Sequence, residues 1–499
     1  MFQTLLFAEA AEPPTWFEQI EQGLGTFVGF LWNWPLLILI TGGGLFFTVY
    51  ARGVPFVYFF HAIRIIRGKY DRPDALGEIN HFRALCTALA ATVGMGNISG
   101  VAVAITTGGP GALFWMWISA LVGMTTKFFT CSLAIMYRGQ DEQGQVQGGP
   151  MYFIVEGLGP RFRPLAIFFS VAGLFGCLPL FQSNQLIQIL RDEVYSPWGW
   201  FPESRKLGEI VEYTFTAQDL GNLLTGLAIM GIVSLVIFRG IKGISGVAAW
   251  IVPAMVMLYL ATGVLIILGN FAEIPALLLL IWQNAFSGEA VAGGAVGIVI
   301  VTGIRRAAFS NEAGVGTEAM AHGAAKTGEP IREGLVAMLG PAVDTMLVCS
   351  VTGFVILSTG MWQNSKYEGV TLTTRSFESA LPGFGGNLLL VCVIFFSIST
   401  MLGYSYYGCK CAGFLFGIRA RRYYNLFYIA TVGVTSMASL DAVIDLLDGM
   451  FALMAIPTMT ASILLAPRVM QAARKYFDEL GTPSRLGRTD GIVDKDNHG

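Results

Sequence analysis

The chain has 499 residues, of which 13% are charged and 54% hydrophobic, against about 25% charged in an ordinary soluble domain. That composition excludes a multidomain soluble enzyme or scaffold and fits a single bundle of bilayer-spanning helices. A net charge of −2 says nothing about partners, though no nucleic acid is expected, and the seven cysteines, an odd number without metal-ligand spacing, read as buried free thiols.

In chain order, residues 1–26 contain no Lys or Arg and read as an outer-face tail, not a secretory signal. Apolar runs of about 20 residues then predict eleven spans, near 27–51, 84–107, 111–136, 165–190, 220–238, 245–268, 287–304, 334–358, 386–408, 424–440 and 446–467. Between the first two lies VPFVYFFHAIRIIRG (54–68), too basic and too short to cross, which suits an amphipathic helix on the inner surface. Threading these spans with the N-terminus outside collects 26 of the 31 Lys and Arg on the inner side. The positive-inside bias thus supports an odd number of spans with the C-terminus in the cytoplasm.

The second span carries Gly94, Gly96, Asn97, Ser99 and Gly100 at its centre, about 20 Å along a helix from its inner end. Unwound backbone at that depth is tolerated only where protein or a water-filled cavity satisfies it. A break there frees carbonyls at the end of one half-helix for a cation and amides at the start of the next for a carboxylate. The competing reading is a small-residue packing face on a continuous helix.

Five spans further on, AVAGGAVG (290–297) puts Gly293, Gly294 and Gly297 near mid-depth of a span of opposite sense. The expected fold is therefore an all-α membrane protein of eleven transmembrane helices. Its five-plus-five inverted-repeat core holds two discontinuous helices, and one extra helix precedes it. The domains follow as the outer tail 1–26, the extra span and inner amphipathic helix 27–82, a first repeat 83–269, a second repeat 270–467, and a polar cytoplasmic tail 468–499.

GGPGALFWMWISALVG (108–123) resembles the signature of the sodium:alanine symporter family, the alanine or glycine:cation symporters. VGMGNISGVAVAI (93–105), QGGPMYFI (147–154), FSNEAGVG (309–316), REGLVAMLG (332–340) and DTMLVC (344–349) resemble further family blocks in the family's order. The resemblance spans roughly residues 27–470 and implies the five-plus-five fold of the large amino-acid transporter superfamily. It also implies that the carbonyls of Ala90 and Val93 hold one sodium with the hydroxyls of Ser399 and Thr400, while Thr92 and Asn97 face a second candidate sodium site.

A small zwitterion needs a partner for each of its ends. Gly96 and Asn97 at the break, with the amides of Ile98, Ser99 and Gly100, suit the carboxylate; carbonyls around Gly293, Gly294 and Gly297 suit the ammonium. Gln182 and Asn184, the family's Gln-x-Asn pattern within FQSN, are further candidates, because amides at lipid depth are costly unless satisfied. Interhelical bonding is their other reading. Asp344 either balances a cation, as a coupling acid, or is a structural carboxylate bonded to its neighbours. Lys127, Arg305 and Arg306 are expected to snorkel from inner span ends, and Glu312 to belong to an inner-face gate or loop.

Two departures stand out. Relatives commonly have Glu where this chain has Thr130, and a GS-AP-like run where it reads GTEAM (316–320). These leave the fold intact and the identity of the amino acid open. The expectation is a bacterial inner-membrane secondary transporter importing a small neutral amino acid, alanine or glycine, with Na+ as the co-transported ion and no organic cofactor. An enzyme is not expected, since no mid-membrane constellation of His, Cys and carboxylate is present. The alternative is a proton-coupled amino-acid carrier or exchanger that titrates Asp344.

Overall fold

A computed structural model describes residues 16–480 apart from 73, 203, 211–212, 287–294, 365 and 436–438. The chain opens with α1 (Trp16–Leu31) and α2 (Trp34–Tyr50), bent against each other by 51°. Asn33 sets the bend: its Oδ1 accepts from Trp34 N at 2.8 Å, and Pro35 occupies the first turn of α2. Next, α3 (Phe59–Ile66) buries Ala62 and Ile65 and leaves Phe60 exposed, the amphipathic strip expected from its sequence.

The following helices are α4 (His81–Thr92), α5 (Met95–Gly108), α6 (Ala112–Met136), α7 (Pro150–Leu158), α8 (Arg163–Gly176), α9 (Leu180–Leu190), α10 (Ala217–Ile237) and α11 (Gly240–Gly269). Then come α12 (Ile274–Ala285), α13 (Ala295–Asn311), α14 (Glu318–His322), α15 (Pro330–Ser358), α16 (Gly369–Ala380), α17 (Gly385–Phe416), α18 (Ala420–Val434) and α19 (Leu440–Glu479). Two short antiparallel pairs, β1 (Gly139–Gln140) with β2 (Val146–Gln147) and β3 (Lys206–Ile210) with β4 (Tyr213–Thr216), sit in connections.

Among the described residues, eight helices are long and apolar enough to cross a membrane, or nine with the bent α1–α2 pair taken as one. The two remaining predicted spans, 287–304 and 424–440, fall on α13 and α18, which have only 17 and 15 residues. The length criterion therefore stops short of eleven. At the C-terminus the expected tail begins too early: α19 continues to Glu479 and buries Val469, Met470, Ala473, Tyr476 and Phe477. The cause is aromatic docking, with the Phe477 ring stacked on Tyr58 at 3.9 Å between centroids.

Hydrogen bonds and ion pairs define two opposite faces. A basic face gathers Leu76–Ile79, Arg138–Gln147, Gly323–Arg332 and Lys410–Arg421. The opposite face gathers Gln188–Glu193, Thr371–Gly386 and the start of α19. Between them α4 packs on α11, α14 and α17, while α5 packs on α13, α15 and α16, so the core surrounds the junction of α4 with α5.

Candidate functional site

The α4–α5 span is interrupted. Val93 (ψ 90°) and Gly94 (φ −150°, ψ −147°) leave helical geometry, and Gly94 caps α5. Gly94 N–H donates to Asn97 Oδ1 at 2.8 Å, and Asn97 N–H donates to Gly94 O at 3.1 Å. In an unbroken helix those two amides would go to the carbonyls of Ala90 and Val93. The break therefore releases both carbonyls in a fully buried place.

Because α5 restarts at Met95, the amides it leaves over are those of Met95 and Gly96. Ile98, Ser99 and Gly100 lie one turn inside the helix, so their N–H groups are not the free ones expected from sequence. Their other groups are engaged instead. Thr352 Oγ1 donates to Asn97 O at 2.7 Å and Thr373 Oγ1 to Ile98 O at 3.1 Å. Ser99 Oγ donates to Gln185 Oε1 at 2.5 Å, which also accepts Val370 N–H at 3.0 Å.

Helix α17 crosses this break. A Cβ on Gly94 would collide with Thr400 Oγ1, so glycine is what admits the threonine. Ser399 and Thr400 donate to Phe396 O at 3.0 and 2.9 Å, and Ser399 also reaches Met255 Sδ at 3.4 Å. Each hydroxyl thus spends its proton and keeps acceptor lone pairs. Thr92 Oγ1 is buried with no hydrogen-bond partner.

The second break differs from the expected one. Helix α13 runs without interruption through Gly297 to Asn311, while Gly293 and Gly294 lie outside the described residues. The interruption comes at 312–317, where Glu312 (φ +57°), Gly314 (φ +89°) and Gly316 (φ +93°) take left-handed conformations before α14 restarts. Residues 306–325 are all buried, so Glu312 belongs to the core and not to a surface gate loop. Its carboxylate accepts from Thr317 Oγ1.

The two breaks touch. A Cβ on Gly96 would come within 3.2 Å of Ser310 Cα. Asp344 joins them from α15, where the helix widens into a π-helical stretch at Ala342–Cys349, a geometry frequent at functional sites. Its buried carboxylate accepts from Asn97 Nδ2 at 2.6 Å on Oδ1, and from Ser310 Oγ at 2.8 Å and Thr345 Oγ1 at 2.7 Å on Oδ2. Asn311 Nδ2 completes the net on Thr345 Oγ1 at 2.9 Å.

On the side of the opposite face, Phe309 is met edge-on by Phe181 at 5.1 Å and tilted by Phe451 at 5.6 Å. Gln182 is buried with Oε1 unpartnered, whereas Asn184 is half-buried and accepts from Gln185 Nε2 at 2.9 Å. Asn184 lines a polar cavity of about 260 Å³ with Gln188, Arg191 and Glu368.

Three cations depart from expectation. Arg305 and Arg306 do not snorkel to the basic face. Arg305 binds Asp448 Oδ2 at 2.5 Å and Asp445 Oδ1 at 3.0 Å, Arg306 binds Asp448 and stands 5.2 Å from the Phe309 ring, and Trp32 Nε1 donates to Asp448 O at 2.9 Å. Two carboxylates in the first turns of α19 hold these guanidinium groups at depth. Lys127 is only 1% exposed, folded against the close approach that Gly340 permits. The two departures from the family pattern also meet: Thr130 Oγ1 donates to Glu318 Oε1 at 3.0 Å.

The halves nearest the basic face are fastened. Glu78 N–H donates to Ala324 O at 2.8 Å and Lys326 N–H to Ile79 O at 2.6 Å. Arg138 donates to Leu76 O at 3.2 Å, to Gly323 O and Thr327 O at 2.9 Å, and to Ala325 O. Burial lowers the Arg138 pKa to about 10, which leaves it charged at neutral pH. Glu333 bridges two buried imidazoles, one oxygen to His81 Nδ1 and the other to His322 Nδ1 at 2.6 Å.

Reading the sequence left out Gln185, Ser310, Thr345, Thr352 and Thr373. Gln185, Thr345 and Thr352 carried a signal as polar side chains within expected spans, whereas Ser310 and Thr373 fall between those spans, and only the fold assigns the partners of all five.

Comparison with known proteins agrees with this architecture. Residues 17–485 match the Sodium:alanine symporter family. An uncharacterized transporter of Haemophilus influenzae is 39% identical over 92% of this chain and 97% of its own. The sodium/alanine symporter AgcS of Methanococcus maripaludis is 35% identical over 92% of this chain and 97% of its own. Among solved structures, MhsT in complex with L-phenylalanine shares the fold, with a TM-score of 0.52 at 12% identity, covering 80% of this chain and 99% of its own. A family match over nearly the whole length, on a fold of apolar helices interrupted where the family blocks fall, means that this multi-pass membrane transporter belongs to the sodium:alanine symporter family.

Proposed function

We propose that the protein imports a small neutral amino acid, alanine or glycine, together with sodium across the bacterial inner membrane, with its basic face in the cytoplasm and its N-terminus outside. One observation carries the reading: the buried junction where the α4–α5 break frees the carbonyls of Ala90 and Val93 beside Thr400 and lies against the second break through Asn97 and Asp344. Hard oxygen donors of mixed carbonyl and hydroxyl type suit Na+. Ala90, Val93, Ser399 and Thr400 would hold one ion, tying α4 to α17. Asn97, Thr92 and the Asp344 carboxylate would serve a second.

The substrate carboxylate goes to the free amides of Met95 and Gly96, at the positive end of α5. Its ammonium goes to the last carbonyls of α13, at the negative end of that helix; this replaces the Gly293–Gly297 assignment. The Phe181, Phe309 and Phe451 rings support a small side chain, as does the printed name of the AgcS relative. Coupling requires only that both ligands favour the same conformer, with a shared free energy of about 1–3 kcal/mol. Proton coupling is the second reading, favoured by one feature: Asp344 is fully buried with three neutral donors.

The test is uptake of labelled alanine, glycine and bulkier competitors into proteoliposomes, with sodium and proton gradients imposed separately. Thr400→Val should raise the sodium concentration for half-maximal uptake, and uptake that proceeds equally well without sodium would sink the proposal.

A further inference from the structure

A cavity of about 430 Å³ opens at the basic face, between the α10–α11 turn, the end of α17 and the start of α18. It lies away from the junction of the breaks: Lys410 follows Thr400 by ten residues on the same helix, about 15 Å along its axis. Lys410, Arg421 and Arg422 line it, with Glu78 as the one acid among the lining residues. The cavity is net cationic, which is wrong for a zwitterion and right for an anion.

Its donors are not used up. Lys410 is 3% exposed, stands 5.0 Å from the Tyr406 ring and donates only to the neutral amide of Gln147. Arg421 Nη2 lies 3.1 Å from that same amide oxygen and 3.7 Å from Asp141 Oδ2, while its Nε is buried without a partner. Tyr406 is 7% exposed and its hydroxyl has no hydrogen-bond partner among the described residues. Two unspent donors and the Lys410 amine thus share one polar wall. The other wall is apolar, from Ile237 and Ile241, which are buried, to Phe238, which is half exposed. Basic pockets between spanning helices at headgroup depth bind acidic lipid headgroups.

We infer that this cavity binds the phosphate of an anionic phospholipid, with Lys410, Arg421 and Tyr406 on the headgroup and the α10–α11 turn along the acyl chain. A free phosphate shares the headgroup chemistry but gains nothing from the apolar wall, and the inference does not depend on the transport reading.

The experiment compares thermal unfolding of the full chain in nanodiscs of phosphatidylcholine alone, of phosphatidylcholine with phosphatidylglycerol, and of phosphatidylcholine with inorganic phosphate, all without sodium or amino acid. Retained lipid is counted by native mass spectrometry. Phosphatidylglycerol should raise the midpoint, inorganic phosphate should not, and each arginine lost should weaken retention roughly fivefold. Arg421→Gln with Arg422→Gln should abolish the shift, whereas Arg161→Gln with Arg163→Gln, exposed on the same face but outside the cavity, should keep it. Should the double variant fail to fold, Arg422→Gln alone, at an exposed position, carries the retention measurement. An equal shift in the cavity variant, loss of the shift in the control variant, or reproduction of it by inorganic phosphate each overturns the assignment.

Discussion

Asp344→Asn removes one charge and keeps the shape, which isolates what that charge does. The carboxylate accepts three hydrogen bonds, at 2.6, 2.7 and 2.8 Å. Bonds to a charged acceptor contribute about 1.5–3 kcal/mol each and neutral ones about 0.5–1.5. Neutralisation therefore costs about 1–1.5 kcal/mol per bond, or roughly 3–4.5 kcal/mol in total if every bond survives. They do not all survive. Asn97 Nδ2 needs an oxygen opposite it, so the new amide must turn its NH2 toward Ser310 and Thr345. Thr345 Oγ1 already accepts from Asn311 Nδ2 at 2.9 Å and would lose its own acceptor. The substitution should lower the unfolding midpoint and raise the half-saturating sodium concentration in proteoliposomes at least tenfold, a change of about 1.4 kcal/mol. If Asp344 is instead the proton carrier, uptake by the parent proceeds without sodium and is lost in Asp344→Asn. A variant indistinguishable from the parent in midpoint, sodium dependence and pH profile would refute the role of Asp344 as the link between the breaks.

Gly94→Ala drives a methyl into Thr400 Oγ1 and should cost about 1–3 kcal/mol of stability as overpacking. Adding Thr400→Ala should recover stability but not uptake, and simple additivity of the two changes in a double-mutant cycle would disprove the contact. Glu333→Gln strips the anion from between His81 and His322 and should cost about 3–5 kcal/mol, read as a lower midpoint in detergent; an unchanged midpoint contradicts it. His61, on α3, has its pKa lowered from 6.5, chiefly by burial and then by Arg64, Arg332 and Lys69. A folded-state pKa below the unfolded one means that this contribution to stability is complete above pH 6.5 and fades as pH falls through the lowered value. His61→Asn should therefore flatten the decline in unfolding midpoint as pH falls below 6.5, and an unaltered slope counts against it.

Nine of the eleven expected spans meet, among the described residues, the bilayer's demand for about 20 apolar residues in a row, and the first break was signalled by glycines and an asparagine clustered at mid-depth, a pattern that a small-residue packing face would also give. The interruption at 312–317 was not read, for a physical reason. Gly293, Gly294 and Gly297 were weighed by type, whereas α13 is ended by three left-handed residues, one of them Glu312, in a stretch too polar to be read as mid-membrane. Arg305 and Arg306 were assigned to the basic face by charge alone, since their partners Asp445 and Asp448 lie some 140 residues further on. Likewise, Thr130 and Glu318 read as two separate departures until the fold brought them within one hydrogen bond.

One guanidinium, that of Arg138, is shared among four carbonyls on two chain segments: Leu76 ahead of the first interrupted helix, and Gly323, Ala325 and Thr327 behind the second. Three of these bonds go to the 323–327 segment and one to Leu76, so parting the segments breaks the Leu76 bond together with the backbone bonds from Glu78 N–H to Ala324 O and from Lys326 N–H to Ile79 O. The two half-helices nearest the basic face are thereby yoked, and separating them there costs these bonds together.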